Sequence, residues 1–375
     1  MYLIIGIVFV VIVYTLLNVY LAWRYTPFIR AVIPRVKFWW VAVVFAALGC
    51  SYVLPSCLPM WGWVRIAGAL GCYWMGFFAY SMLFFVILEI VRRVVLHRLS
   101  EKGRVKFSAV SAGVVLLFCV LLIIGGRIHA LDIEKGSYDI KVEKNWDGPP
   151  LKVALLSDVH LGHINGEKRM EQIVEAVNEE QADIVCIAGD LFDSTYEGVR
   201  NPDRIAELLG MIESKYGVFL CWGNHDAGDE YVKMKNLIQK TGIHILEDEV
   251  FNLKGICNIV GRKDSAPIGS QGSERREWKE IQEEIQGNEP VLVLDHRPSN
   301  ANDYENVDLV MSGHTHAGQV FPFNLLTRLN EKFNYGSYTT ENGVPVIVTS
   351  GIGTWGPPLR IGTDSELALI QLHGK

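Results

Sequence analysis

Apolar residues follow two regimes along this chain, and the change falls near residue 126. Before it come four nearly unbroken apolar stretches, residues 2–23, 38–55, 66–91 and 107–126, each close to the roughly 20 residues with which a helix crosses a bilayer. After it the apolar residues come in short groups. Met170, Ile173, Val174 and Val177 follow i, i+3, i+4, i+7 spacing, and Ile205, Leu208, Leu209 and Ile212 repeat it, so each segment predicts a helix with one buried stripe. The runs "LKVALLS", "ADIVCIAG", "GVFLCWG", "PVLVLD", "VDLVMSG" and "VPVIVTSG" are short and rich in Val, Ile and Leu, as strands covered on both faces are. The pattern predicts a membrane region of about four helices over 1–126, a polar linker over 127–150 and an α/β domain over 151–375. In the linker, "EKGSYD" and "DGPP" are turn signals around a short hairpin.

The first stretch lacks a basic leader and exceeds the about 7–15 apolar residues of a signal-peptide core, so it reads as an anchor. The second is the shortest in effect, because Pro55 and Pro59 interrupt the chain at its end. Basic residues set the expected orientation. Arg24, Arg30, Arg35 and Lys37 come after the first stretch, and Arg92, Arg93, Arg98, Lys102, Arg104 and Lys106 separate the third from the fourth, whereas the loop between the second and third offers little beyond Arg65. With four crossings, both basic loops are cytoplasmic and the C-terminal domain is extracytoplasmic.

Composition adds limits. Half of the 375 residues are hydrophobic, and the net charge of −6 provides no basic footprint for nucleic acid. The seven cysteines show no CxxC or disulfide-framework spacing.

The polar residues carry the chemistry. "SDVH" follows the first strand-like run, "GDLFD" the second, "GNHD" the third, "DHRP" the fourth and "GHTH" the fifth. Ligands in open α/β sheets gather beyond the carboxyl ends of strands, so five such blocks predict one site on one rim. The blocks supply Asp158, His160, Asp190, Asp193, Asn224, His225, His296, His314 and His316. Carboxylate, imidazole and amide oxygen without thiolate suit Mn²⁺, Fe²⁺ or Zn²⁺ better than Mg²⁺. Two such ions need a shared carboxylate between them. Asp190, preceded by Gly189, fits that place.

In this order the blocks D-x-H, GDxxD, GNHD, a lone His and GHxH resemble the calcineurin-like metallophosphoesterase superfamily. "SDVHLG", "GHTHAGQ" and "SGIGTWGPPLRIG" resemble its membrane-associated bacterial branch. The resemblance covers about residues 150–375 and implies a layered α-β-β-α sandwich. It implies a first metal on Asp158, His160, Asp190 and His316 and a second on Asp190, Asn224, His296 and His314. It also implies hydrolysis of a phosphoester by a metal-activated water, with His225 as proton donor and Asp193 orienting its ring. His163 and Asn165 are candidates for substrate contact or for solvated loop positions, Asp226 reads as structural, and Asp295 as a loop residue.

Four spans exceed what a tether needs, so the expected partners are the bilayer and a phosphoester that is lipid-linked. Two alternatives stand beside that reading: a UDP-2,3-diacylglucosamine-type pyrophosphate hydrolase of lipid A synthesis, and a non-catalytic membrane sensor with a phosphoesterase-like domain. "VFPFNLLTRL", just after the His-Thr-His loop, is either a lipid-facing lip or core.

Overall fold

The computed structural model describes residues 2–95, 99–142, 149–269 and 274–374. They form two compact units, Met1–Arg127 with Gly356–Pro358, and Ile128–Trp355 with Leu359–Lys375.

The first unit is helical: α1 Tyr2–Val32, α2 Phe38–Ser51, α3 Leu54–Cys57, α4 Gly62–Val95, and the greater part of α5, Glu101–Leu131. Among the described residues, three segments are long and apolar enough to cross a membrane, Phe9–Val32, Gly62–Arg93 and Glu101–Leu131. The expected second span is the exception. α2 has 14 residues, short of the about 20 a crossing helix needs. The chain breaks at Tyr52, whose backbone packs so closely on Gly71 that a β-carbon there would collide with Tyr52 N. Pro55 then sits in the first turn of α3. The direction of the helices is nevertheless clear from their contacts. Asn18 meets Trp74, Tyr25 meets Ser81 and Arg24 meets Glu89, so α1 and α4 run the same way. Phe45 packs on Tyr25 and Gly49 on Asn18, so α2 runs back beside α1.

The second unit holds two six-stranded sheets. Its elements in chain order are β1 Ile133–Lys141, β2 Leu151–Leu156, α6 Glu167–Glu179, β3 Ile184–Ala188, α7 Pro202–Gly210, β4 Val218–Cys221, α8 Tyr231–Ile238, β5 His244–Ile245 and β6 Glu249–Leu253. There follow β7 Cys257–Gly261, α9 Trp278–Gln282, β8 Val291–Leu294, β9 Leu309–Ser312, α10 Phe323–Asn330, β10 Gly336–Thr339, β11 Pro345–Val348 and β12 Ser365–His373. One sheet has the order β1-β12-β2-β3-β4-β5, the other β10-β11-β9-β8-β7-β6.

Alternation along the strands builds the layers. Val153 and Leu155 of β2 face the core between the sheets, with Cys186, Phe219, Leu292, Leu309 and Met311. Ala154 and Leu156 face outward, where the predicted stripes of α6 and α7 cover them. The second sheet is covered by α9 and its neighbours through Trp278, Ile281, Ala301 and Tyr304. The result is the α-β-β-α sandwich. β2, β3 and β4 are mutually parallel, as are β7, β8 and β9, so their carboxyl ends share one rim.

The linker departs from expectation. β1 pairs in parallel with β12, Ile133 opposite Ser365 through Lys141 opposite His373, and the second unit therefore begins before residue 151. "EKGSYD" is strand within β1 and forms no hairpin; of "DGPP", Asp147 and Gly148 lie outside the described residues.

Candidate metal centre

Five of the strands that end at the shared rim each deliver one polar block. β2 leads to Asp158 and His160, β3 to Asp190 and Asp193, β4 to Asn224 and His225, β8 to His296, and β9 to His314 and His316. The backbone turns sharply at these places. Asp158, His160, Asp190, His314 and His316 all have positive φ, between 50° and 73°, a conformation that costs a non-glycine residue energy and clusters at functional sites. Glycines make the close approach possible. A β-carbon on Gly189, itself at φ 79°, would lie 2.7 Å from His296 Nδ1, and one on Gly313 would collide with Asp158 Oδ2.

Two groups of donors result. In the first, His316 Nε2 lies 3.3 Å from Asp158 Oδ1 and 3.1 Å from His160 Nε2. In the second, His296 Nε2 lies 3.1 Å from Asp190 Oδ2 and 3.2 Å from His314 Nδ1. Asp190 joins them, since the same Oδ2 is 3.8 Å from His160 Nε2. Asn224 sits between Gly223, which packs on Asp190 Oδ1, and His225, whose N–H donates to that oxygen at 2.8 Å.

Imidazole lone pairs that face one another and buried carboxylates are stable only with protons or a cation among them. Asp158 Oδ1 and Asn224 Oδ1 are buried and accept no hydrogen bond from the described residues. The donor set and these two orphaned oxygens fit divalent ions at both groups.

Without ions, protons take their place. Burial works against charge on His296, but Asp190 beside it outweighs that and pushes the imidazole up to about 10. His160 is raised too, because Asp193, Asp190 and Asp158 overcome its burial. Asp190 is held below the usual carboxylate range: burial opposes its charge, but His296 and His160 prevail. Burial, with cationic neighbours, lowers His314 to about 3 and keeps His316 neutral. In the second group a protonated His296 thus faces a neutral His314.

His225 sits at the mouth of this centre, half-buried, with its ring 5.0 Å from that of His160. Its orienting partner differs from expectation. Ser194 Oγ lies 2.5 Å from His225 Nδ1, whereas Asp193 Oδ1 is turned toward His160 Nδ1 at 3.6 Å. Asn165 is buried and donates to Val159, His160 and Thr354 carbonyls, so it ties loops together. Asp226 accepts from the N–H groups of Leu191, Phe192 and Gly223, and Asp295 from Arg275 and Tyr304; both brace the rim.

Several neighbours carried no readable signal. Arg297 Nη1 reaches His314 Nε2 at 3.1 Å while its Nε pairs with Asp264. Arg360, fully buried, donates to the carbonyls of His316, Ser350, Gly351 and Gly353. It belongs to the "SGIGTWGPPLRIG" stretch, which is thereby fastened to the second histidine of the His-Thr-His loop.

Residues 151–318 match the family model described as calcineurin-like phosphoesterase. The chain is 33% identical to an uncharacterized metallophosphoesterase of Campylobacter jejuni and 34% identical to one of Helicobacter pylori, each over 60% of both chains. It is 30% identical to a protein of Danio rerio named transmembrane protein with metallophosphoesterase domain, over 88% of this chain and 78% of the other. The chain thus spans 60% of the length of the two bacterial relatives and more of the fish protein.

Proposed function

Because this chain belongs to the calcineurin-like phosphoesterase family, we propose that it is a membrane-anchored hydrolase of phosphoesters that works with two divalent ions, Mn²⁺, Fe²⁺ or Zn²⁺. The observation that carries the reading is Asp190, one carboxylate whose Oδ2 stands 3.1 Å from an imidazole of one donor group and 3.8 Å from an imidazole of the other. Asp158, His160, Asp190 and His316 hold the first ion, and Asp190, Asn224, His296 and His314 the second. Bound there, the ions acidify water and neutralise charge on the phosphoryl group.

The chain's own residues do the rest. His225, held through Nδ1 by Ser194 Oγ, gives its Nε2 proton to the departing oxygen of the ester as an imidazolium and is left as the neutral ring. Arg297, paired with Asp264, lies against His314 Nε2 and adds positive charge at the edge of the second donor group. Asp193, beside His160 Nδ1, favours the tautomer that leaves His160 Nε2 free to act as a ligand.

The substrate in this reading is lipid-linked, and the catalytic unit faces away from the cytoplasm. Support comes from the three apolar helices and from the basic residues. Arg24 of α1 and Arg92 of α4 both reach Glu89, so the basic ends of these two helices lie on the same side.

The test is a panel of an aryl phosphodiester, an alkyl phosphodiester, a phosphomonoester and a lipid pyrophosphate, given to the full chain in detergent with Mn²⁺. Hydrolysis of at least one supports the reading. His225→Ala is expected to slow alkyl ester hydrolysis by about 10²–10⁴ and aryl ester hydrolysis less, because a good leaving group needs no proton. Equal loss on both esters would remove the acid role, and no hydrolysis of any member would favour the non-catalytic sensor.

A further inference from the structure

The segment that comes after the His-Thr-His loop carries an apolar surface that the metal centre does not use. A helix on the surface of a globular unit ordinarily turns its apolar stripe inward. α10 does the reverse. Its polar side faces the protein, where Asn324 lies against Gly318 and donates to the carbonyl of Gly362, and Thr327 Oγ1 also faces Gly318. Leu325, Leu326 and Leu329 point away and are 50%, 54% and 82% exposed. Phe321 and Phe323 extend the patch, each about half exposed, and no residue of the helix is buried. One exposed leucine is ordinary, but a contiguous patch on an outward helix face marks a contact.

The neighbouring turn identifies what that contact is. Residues 361–365 hold the start of α10, through Phe321 N–H on Ile361 O at 2.8 Å and Thr363 Oγ1 on Gln319 O at 2.6 Å. The same five residues grip the last turn of α5. Asp364 Oδ1 pairs with His129 Nε2 at 2.8 Å, and Ser365 Oγ donates to Ala130 O at 2.9 Å. α5 is one of the helices able to cross a bilayer, and these residues lie at its end. The apolar helix is therefore fastened where the chain leaves a membrane span. A bilayer surface is available there by construction.

We propose that α10 lies in the membrane–water interface, with Phe321, Phe323, Leu325, Leu326 and Leu329 among the lipid headgroups and upper acyl chains. Such amphipathic helices bind through their buried apolar area. The surface continues toward the catalytic mouth. Gln319 exchanges two hydrogen bonds with the backbone of Trp355, at 2.8 and 2.9 Å, and the half-exposed Trp355 ring stands 5.7 Å from that of His225. Tryptophan is favoured at such interfaces. A lipid-borne phosphoester thus reaches the metal centre along a rim that touches its own bilayer, a consequence that rests on the hydrolase reading, whereas the lipid contact of α10 does not.

The experiment uses the full chain in nanodiscs of phosphatidylcholine and phosphatidylglycerol. Cys50→Ser with Cys57→Ser removes the two exposed cysteines and leaves five buried ones. A polarity-sensitive fluorophore is then placed at Leu326→Cys, and in a reference protein at Val232→Cys, an exposed position on α8. Lipids with a nitroxide near the headgroup are expected to quench the label at 326 several-fold more than that at 232. Equal quenching at the two positions would overturn the proposal. So would a label at 326 shielded from water but not quenched, since a second copy of the chain would then cover the helix. In the same nanodiscs, Leu326→Asp with Leu329→Asp is expected to leave hydrolysis of a soluble aryl phosphodiester within about twofold and to lower hydrolysis of an embedded lipid phosphoester about tenfold or more. Unchanged lipid hydrolysis would overturn the route along the rim. Absence of all hydrolysis in the unmodified chain would instead count against the hydrolase reading, and the quenching result would still decide the place of α10.

Discussion

At the scale of single residues, the centre is an arrangement of charges that exchanges protons for ions. His296, raised to about 10 by Asp190, carries a proton at neutral pH in the ion-free chain; His160 is raised as well, while His314 and His316 are lowered. Filling the second group therefore releases about one proton, that of His296, at neutral pH. As pH rises toward 10, fewer protons compete and metal affinity increases by about one log unit per pH unit for each proton displaced. Calorimetry of Mn²⁺ binding in buffers of different ionisation enthalpy measures this, and an affinity flat between pH 6 and 9 would contradict the assignment of His296. The ligand types were legible because each follows an apolar run in a fixed order. The partner of His225 was not. Ser194 and Asp193 are adjacent, and only the turn at Ser194, at φ 60°, decides which side chain meets the imidazole.

Among elements, six strands and two helix stripes were readable because both periodicities are strong there: Met170, Ile173 and Val177 are buried, as are Ile205, Leu208 and Leu209. β1 was not, since its half-exposed "IEKGSYDIK" has a weak alternation and its partner β12 lies at the far end of the chain. α2 looked like a span because composition does not reveal where Tyr52 meets Gly71. α10 was ambiguous because an apolar stripe gives no direction; its exposure settles that it is not core. The loop from β11 to β12 depends on one side chain. Arg360 shares its guanidinium among four carbonyls, so Arg360→Met leaves buried acceptors unpaired and is expected to cost about 3 kcal/mol or more. Arg360→Lys should not rescue it, because an ammonium lacks the planar fork. Thermal unfolding with and without Mn²⁺ checks both, and a melting temperature within a degree of the parent would refute the role.

At the scale of the whole molecule, one chain carries an apolar helical unit and an α-β-β-α sandwich with donor groups able to hold metal. The proposed sidedness rests on the basic residues and on α1 and α4 running the same way, which requires the stretch between them, with its 14-residue α2, to return across the bilayer. A reporter active only in the cytoplasm should give signal when inserted within residues 101–106 and none when fused after residue 375; signal from both would put the catalytic unit inside and bring the nucleotide-linked lipid hydrolase forward. The central claim, that Asp190 serves two ions at once, has a direct measurement: metal content and phosphodiester hydrolysis of the full chain, stripped with chelator and reloaded with Mn²⁺, beside Asp190→Asn. The expected result is two ions per reloaded chain with activity restored, and at most one ion with activity reduced at least about 10²-fold in the variant. Two ions and near-parental activity in Asp190→Asn, or full activity in the stripped parent, would contradict it.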